Sequence, residues 1–180
     1  NHGTYVFTTI AGNIDGTYLG TCPNANYWLL MSEDVASETI IEEYYWLFAA
    51  EYADSVGVDV INTSLGYTEF DDPSQNHTYA DMDGNSTIAA IAADIAASKG
   101  ILLFNSNGNS GNNAWTYLGT PADADSIIAV GATDSLGLIA PFSSLGPASD
   151  GDIKPNIVGQ GSPSALYHND GYVDFGSGTA

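Results

Sequence analysis

Apolar residues recur along this chain with two periods. In Ser37–Gly57, "SETIIEEYYWLFAAEYADSVG", the positions Ile40, Ile41, Tyr44, Leu47, Phe48 and Ala49 return at helical spacing. Ser37 is placed to cap that helix and Gly57 to close it. Asn85–Gly100, "NSTIAAIAADIAASKG", repeats the pattern in an alanine-rich form and stops at Gly100. Shorter continuous apolar runs stand between these helices and after them. Val58–Gly66, Ile101–Gly111 and Ser126–Asp134 each begin as a buried strand, and the first two open into polar loops. The aromatic and aliphatic run Ala25–Asp34 predicts a further strand. Thr4–Gly12 is apolar and β-branched, and periodicity leaves strand and buried helix both open.

Strand, helix, strand, helix, strand in that order means an α/β fold with a mostly parallel sheet and helices on its faces. Such sheets build their sites at the carboxyl ends of strands. Here those ends are "NTSLG" after Ile61 and "NSNGNSG" after Phe104. One domain accommodates all 180 residues.

Charge narrows the partners. The chain has 22 Asp and Glu against two lysines, Lys99 and Lys154, and no arginine, for a net charge of −20. Nothing here neutralises phosphates, so neither nucleic acid nor an anionic membrane is an expected partner. The single cysteine, Cys22, allows no internal disulfide and is expected to be a packed or partly buried thiol. No apolar run has the length of a membrane span, and no signal peptide is visible.

Three polar stretches carry candidate chemistry. His2, followed by Gly3 and Thr4 at the entry to an apolar segment, is a candidate general base. A glycine-flanked Asn109 after a strand can aim an amide N–H at an oxyanion, although such loops are also ordinary turns. The closing "GSGTA" lets backbone approach a ligand, as at the entry to a nucleophile.

Taken together these stretches resemble the subtilisin-like serine proteases. "HGTYVFTTIAG" is similar to the segment of the catalytic histidine, and "GTCPNANYWLL" to the segment that follows it. "GVDVINTSLG" resembles the strand along the substrate cleft, and "GILLFNSNGNSGN" the stretch of the oxyanion asparagine. "SIIAVGATDSLGLIAPFSSLGP" and "IKPNIVGQG" resemble the later strand and the Lys-Pro segment, and "GSGTA" matches the nucleophile motif except in its last letter. The resemblance implies a three-layer α/β/α domain and a secreted, cell-surface or periplasmic serine endopeptidase that needs no cofactor. It implies His2 as general base and Asn109 as oxyanion donor. Ser64, Leu65 and Gly66 would pair with an extended polypeptide substrate. Asn105, Ser106, Asn107 and Gly108 would form the opposite wall, more polar than the small apolar residues the family commonly has there. Tyr5, Phe7 and Thr8 also depart from the family pattern, with packing as the expected consequence.

Two members of the triad are missing from the resemblance. No Asp matches the motif that lies upstream of the histidine, and the serine position is Ala180. The expectation is therefore a partial catalytic domain over residues 1–180, without the aspartate strand before it and the helix after it, and inactive as it stands. A non-catalytic pseudoprotease or peptide-binding module is the alternative. Ser177 and Thr179 read as loop residues, and His77 and His168 as surface residues. "DMDGNS" (81–86) opens like a calcium loop but lacks the closing Glu, so it reads as a helix cap. "GNIDGTY" (12–18) offers only Asn13 and Asp15 as side-chain ligands, and no metal is expected. Asn62, Asn76 and Asn85 lie in glycosylation sequons.

Overall fold

The computed structural model describes residues 2–179. Four parallel strands form its centre in the order β3-β4-β5-β6: β3 (Val60–Thr63), β4 (Leu102–Ser106), β5 (Ile128–Asp134) and β6 (Ile157–Ser162). Among the described residues three α-helices accompany them: α1 (His2–Ala11), α2 (Ile41–Val56) and α3 (Ile88–Ser98). Two antiparallel hairpins complete the fold, β1 (Asn13–Ile14) with β2 (Tyr18–Leu19), and β7 (Ser164–Tyr167) with β8 (Val173–Gly176). No helix among the described residues is long and apolar enough to cross a membrane.

The main core lies where α2 and α3 meet the sheet. Trp46 and Ala50 of α2 pack with Ala90, Ala93 and Ala96 of α3 and with Ile101 and Leu103. The alanines let the two helices come close to each other and to β4, which explains the alanine-rich form of the second helical pattern. α1 lies apart, against β7.

The predicted helices form with shifted starts. Ser37 does not cap α2; its N-cap is Ile40, which makes no side-chain capping bond. The buried Glu42 supplies the acceptor instead, receiving the Asp34 and Thr39 amides at 2.8 and 3.2 Å. A carboxylate within the first turn also suits the positive end of the helix dipole. Gly57 closes α2 as expected, at φ 76°. At α3 the cap is Thr87, whose hydroxyl accepts the Ala90 N–H at 3.2 Å. Asp83 just before it receives Asn85 N–H and Ser86 N–H, so the acidic stretch does form turn and cap structure.

Three expectations are corrected. Ala25–Asp34 is not a strand. A strand requires a ladder partner, and none of the described strands pairs with this segment. Its rings pack elsewhere, Trp28 on Tyr52 at 5.7 Å and Tyr27 on Phe7 at 5.0 Å. Cys22 is exposed rather than packed. His77 is not a free surface residue: its Nε2 lies 2.5 Å from Oε1 of Glu43, which is fully buried and also accepts the Ala89 N–H at 3.1 Å.

The His77–Glu43 pair joins α2, the loop before α3 and the first turn of α3. The hydrogen bond to Glu43 raises the His77 pKa, against the opposing effect of burial. A raised folded-state pKa stabilises the fold fully below the unfolded value of 6.5, and that stability is lost as pH rises through the folded value. Chemical denaturation of wild type and His77→Gln is therefore expected to differ most near about pH 6 and to converge toward about pH 9. A gap between the two proteins that widens on the alkaline side would contradict the assignment.

After Asp134 the glycine- and proline-rich sequence still builds β6 and the β7–β8 hairpin. Lys154, one of the two cations, is buried at the start of this region and donates its Nζ to the Ala124 carbonyl at 2.7 Å. Asp152 Oδ2 stands 3.6 Å away on the solvent side. This anchor ties the entry of β6 to the loop that precedes β5.

Candidate active site

A cavity of ≈ 180 Å³ opens beyond the carboxyl ends of β3 and β4, where a parallel sheet is expected to carry its site. Ser64, Leu65 and Gly66, continuing from β3, form one side. Ser106, Gly108 and Asn109, continuing from β4, form the other. His2, exposed in the first turn of α1, reaches the same cavity. The structure thus brings together the histidine, the asparagine and the cleft strand that sequence alone could only order along the chain.

Local hydrogen bonds hold these walls. Tyr67 and Thr120 exchange backbone bonds at 2.8 and 3.2 Å, which closes the cavity behind Gly66 and Gly119. A side chain at Gly119 would come within 3.0 Å of Thr68 Cγ2, so the glycine keeps that wall open. Gly108 has φ +104°, and a Cβ there would sit 2.8 Å from Ser144 Oγ; both its backbone and its space call for glycine.

Asn109 is held in one orientation. Its Oδ1 accepts from both the N–H and the hydroxyl of Thr179, each at 3.0 Å. A backbone N–H can only donate, so oxygen must face Thr179 and the amide nitrogen must face away from it. Thr179 is itself anchored: the preceding Gly178 N–H bonds the Gly161 carbonyl at 3.0 Å, and a Cβ on Gly161 would run into the Gly178 carbonyl. Gly178 and Thr179 of the "GSGTA" stretch therefore approach the cavity on fixed backbone rather than as a loose tail. Position 180, where the resemblance puts the nucleophile, lies outside the described residues.

The polar wall expected from residues 105–108 is only partly at the surface. Ser106 and Gly108 line the cavity, but the Asn105 and Asn107 side chains are buried behind it. Asn105 Nδ2 donates to Ser106 O at 2.7 Å and to Leu65 O at 3.4 Å, bracing the cleft strand. Asn107 Nδ2 donates to Ser144 O at 2.6 Å. The pleat explains the split, since successive residues of a strand face opposite ways. Trp115, Tyr117 and Ser144 line the cavity too, and sequence reasoning missed them. They sit in connections with no periodicity, so no pattern marked them.

Other polar groups lie apart from these walls. Glu33, Glu38 and Glu42 bring carboxylate oxygens within 4.8 Å of one another. Both oxygens of Glu42 serve backbone amides, and Glu33 accepts the Tyr67 hydroxyl at 2.6 Å, so hydrogen bonds already occupy most of that cluster. Burial, with Glu42, Glu33 and Asp71 nearby, raises the pKa of Glu38. Burial likewise raises the pKa of Asp123, which accepts the Gly84 N–H at 3.0 Å. His168, expected at the surface, is half-buried between Tyr5 and Tyr172, with ring centroids 5.2 and 4.7 Å away. Its Nε2 lies 2.7 Å from the Tyr5 hydroxyl, joining α1 to the β7–β8 hairpin. Ser177 is an exposed loop serine 3.4 Å from Ser162.

Known proteins resemble this chain in sequence and fold. The model of the Subtilase family matches residues 1–179. Subtilisin DY of Bacillus licheniformis is 36% identical over 151 residues, covering 81% of this chain and 47% of that protein. The minor extracellular protease Vpr of Bacillus subtilis is 32% identical over 133 residues, covering 74% of this chain and 14% of that protein. Among solved structures, the self-cleaved protease domain of PatA superposes with a TM-score of 0.77 at 23% identity, covering 99% of this chain and 60% of the other. The S41 psychrophilic protease superposes with a TM-score of 0.68 at 28% identity, covering 99% and 58%. The chain thus spans less than half of the length of these curated relatives.

Proposed function

Because this chain belongs to the subtilase family, we propose that it forms the substrate-binding and oxyanion part of a subtilisin-like serine endopeptidase site. One observation carries the proposal: His2 and Asn109 share a single cavity, and Asn109 is anchored through its oxygen, which turns its amide nitrogen away from Thr179. The reaction is acyl transfer. A serine at position 180 attacks the peptide carbonyl, His2 takes the hydroxyl proton and later gives it to the leaving amine, and Asn109 Nδ2 donates to the tetrahedral oxyanion. Ser64 to Gly66 pair with the extended substrate, and the side chain before the scissile bond enters the cavity. The carboxylate partner of His2 has no match among the residues of this chain. Secretion is supported by the extracellular protease among the relatives.

Alanine at position 180 favours a second reading for the chain as it stands: a module that binds peptide without cutting it. The two readings separate in the full gene product carrying Ala180→Ser. On the endopeptidase reading that form hydrolyses casein and chromogenic peptides, and Asn109→Leu lowers its kcat about 10²–10³-fold with KM little changed, the loss known for such a donor in a subtilisin. Peptide binding without hydrolysis in the Ala180→Ser form would leave only the binding module.

A further inference from the structure

We propose that Ser106 is a positioning residue for Asn109, acting through the hydroxyl of Thr179; the inference rests on the reading of Asn109 as the oxyanion donor. Ser106 is the last residue of β4, and it and Thr179 are both buried. Their hydroxyl oxygens are 2.5 Å apart.

The proton positions follow from what each atom can do. Asn109 Oδ1 only accepts, so the one hydroxyl proton of Thr179 points at it across 3.0 Å. The Ser106 hydroxyl must then donate to Thr179 Oγ1. Gly108 N–H supplies a further donor, 3.2 Å from Thr179 Oγ1 and 3.3 Å from Ser106 Oγ. The result is a directed chain, Ser106 to Thr179 to Asn109, in which each hydroxyl polarises the next. Its last member holds the amide so that Nδ2 faces the cleft.

Ser106 supplies a hydroxyl donor that an alanine would lack, at a buried position. It also lines the cavity, so it has a competing role as a wall that sets side-chain preference. The two roles predict different kinetics. A positioning residue acts on transition-state stabilisation and moves kcat. A wall acts on which side chain binds and moves KM and preference.

Two measurements on Ser106→Ala and Ser106→Thr decide between them. In the present chain, hydrogen exchange at the Thr179 N–H is expected to quicken about three- to tenfold in Ser106→Ala, the scale of one hydrogen bond. Amides of β5 should keep their rates, and Ser106→Thr, which retains the hydroxyl, should restore Thr179. In the Ala180→Ser full gene product, Ser106→Ala is expected to lower kcat by a similar factor at constant KM, again rescued by Ser106→Thr. Unchanged Thr179 exchange, or an effect confined to KM and side-chain preference, overturns the proposal. Should the Ala180→Ser protein cleave nothing, the endopeptidase reading fails on its own, and the exchange result still decides whether Ser106 orders Thr179 and Asn109.

Discussion

Serine in place of Ala180 in the full gene product is expected to raise peptide hydrolysis about 10⁶-fold over the alanine form, the loss known when a subtilisin gives up its nucleophile. The expectation comes from how the chain reaches that position. Gly178 is tied to Gly161, and Thr179 is tied through its N–H and hydroxyl to Asn109. The described chain is therefore held at Thr179, beside Asn109, the proposed oxyanion donor. Holding reactants in place removes much of the entropic part of a barrier, and the substitution supplies the hydroxyl that alanine lacks. The assay is initial-rate hydrolysis of a chromogenic peptide by the two forms side by side. A gain below about tenfold would mean that position 180 is not the nucleophile position.

Removal of His2 from the Ala180→Ser form is expected to lose nearly all of that gain, again about 10⁶-fold. His2 stands at the cavity in the first turn of α1, and it is the only histidine among the residues lining it. His77 is committed to the buried Glu43, and His168 to the Tyr5 and Tyr172 stack, so neither is free to replace it. Base and nucleophile work as a unit, and their losses do not add. His2→Ala with Ala180 retained should therefore be no slower than either single loss. Reaction with a serine-directed fluorophosphonate gives the same information without turnover. Labelling of the Ala180→Ser form that survives His2→Ala would remove His2 from the role of base.

Sequence made the sheet legible wherever an apolar run had a partner in the chain. Val58–Gly66, Ile101–Gly111 and Ser126–Asp134 became β3, β4 and β5, neighbours in one parallel sheet with α3 crossing from β3 to β4. It misled at Ala25–Asp34, because an apolar run signals a wish for burial and not the ladder that makes a strand. It also misplaced the start of α2: Ser37 has the right chemistry for a cap, but Glu42 reaches back to the same turn. The later strands were hidden because β6 and the β7–β8 hairpin are interrupted by glycine, serine and proline and lack an apolar run. For the site, motif order singled out His2, Ser64–Gly66 and Asn109, all of which the fold sets on one cavity. It could not tell which of residues 105–108 face that cavity, because the pleat decides this and the register follows from pairing with β3. Nor could it show the hydroxyl chain from Ser106 to Thr179, which joins residues 73 positions apart.

Position 180 is proposed as the place where a nucleophile works against the His2 and Asn109 cavity. The decisive measurement is peptide mapping, by mass spectrometry, of the fluorophosphonate-treated Ala180→Ser protein. A single phosphonylated residue is expected, at position 180, with no adduct on the alanine form or on Ser106, Ser144 or Ser177. An adduct at another serine, or none at all on folded protein, would contradict it.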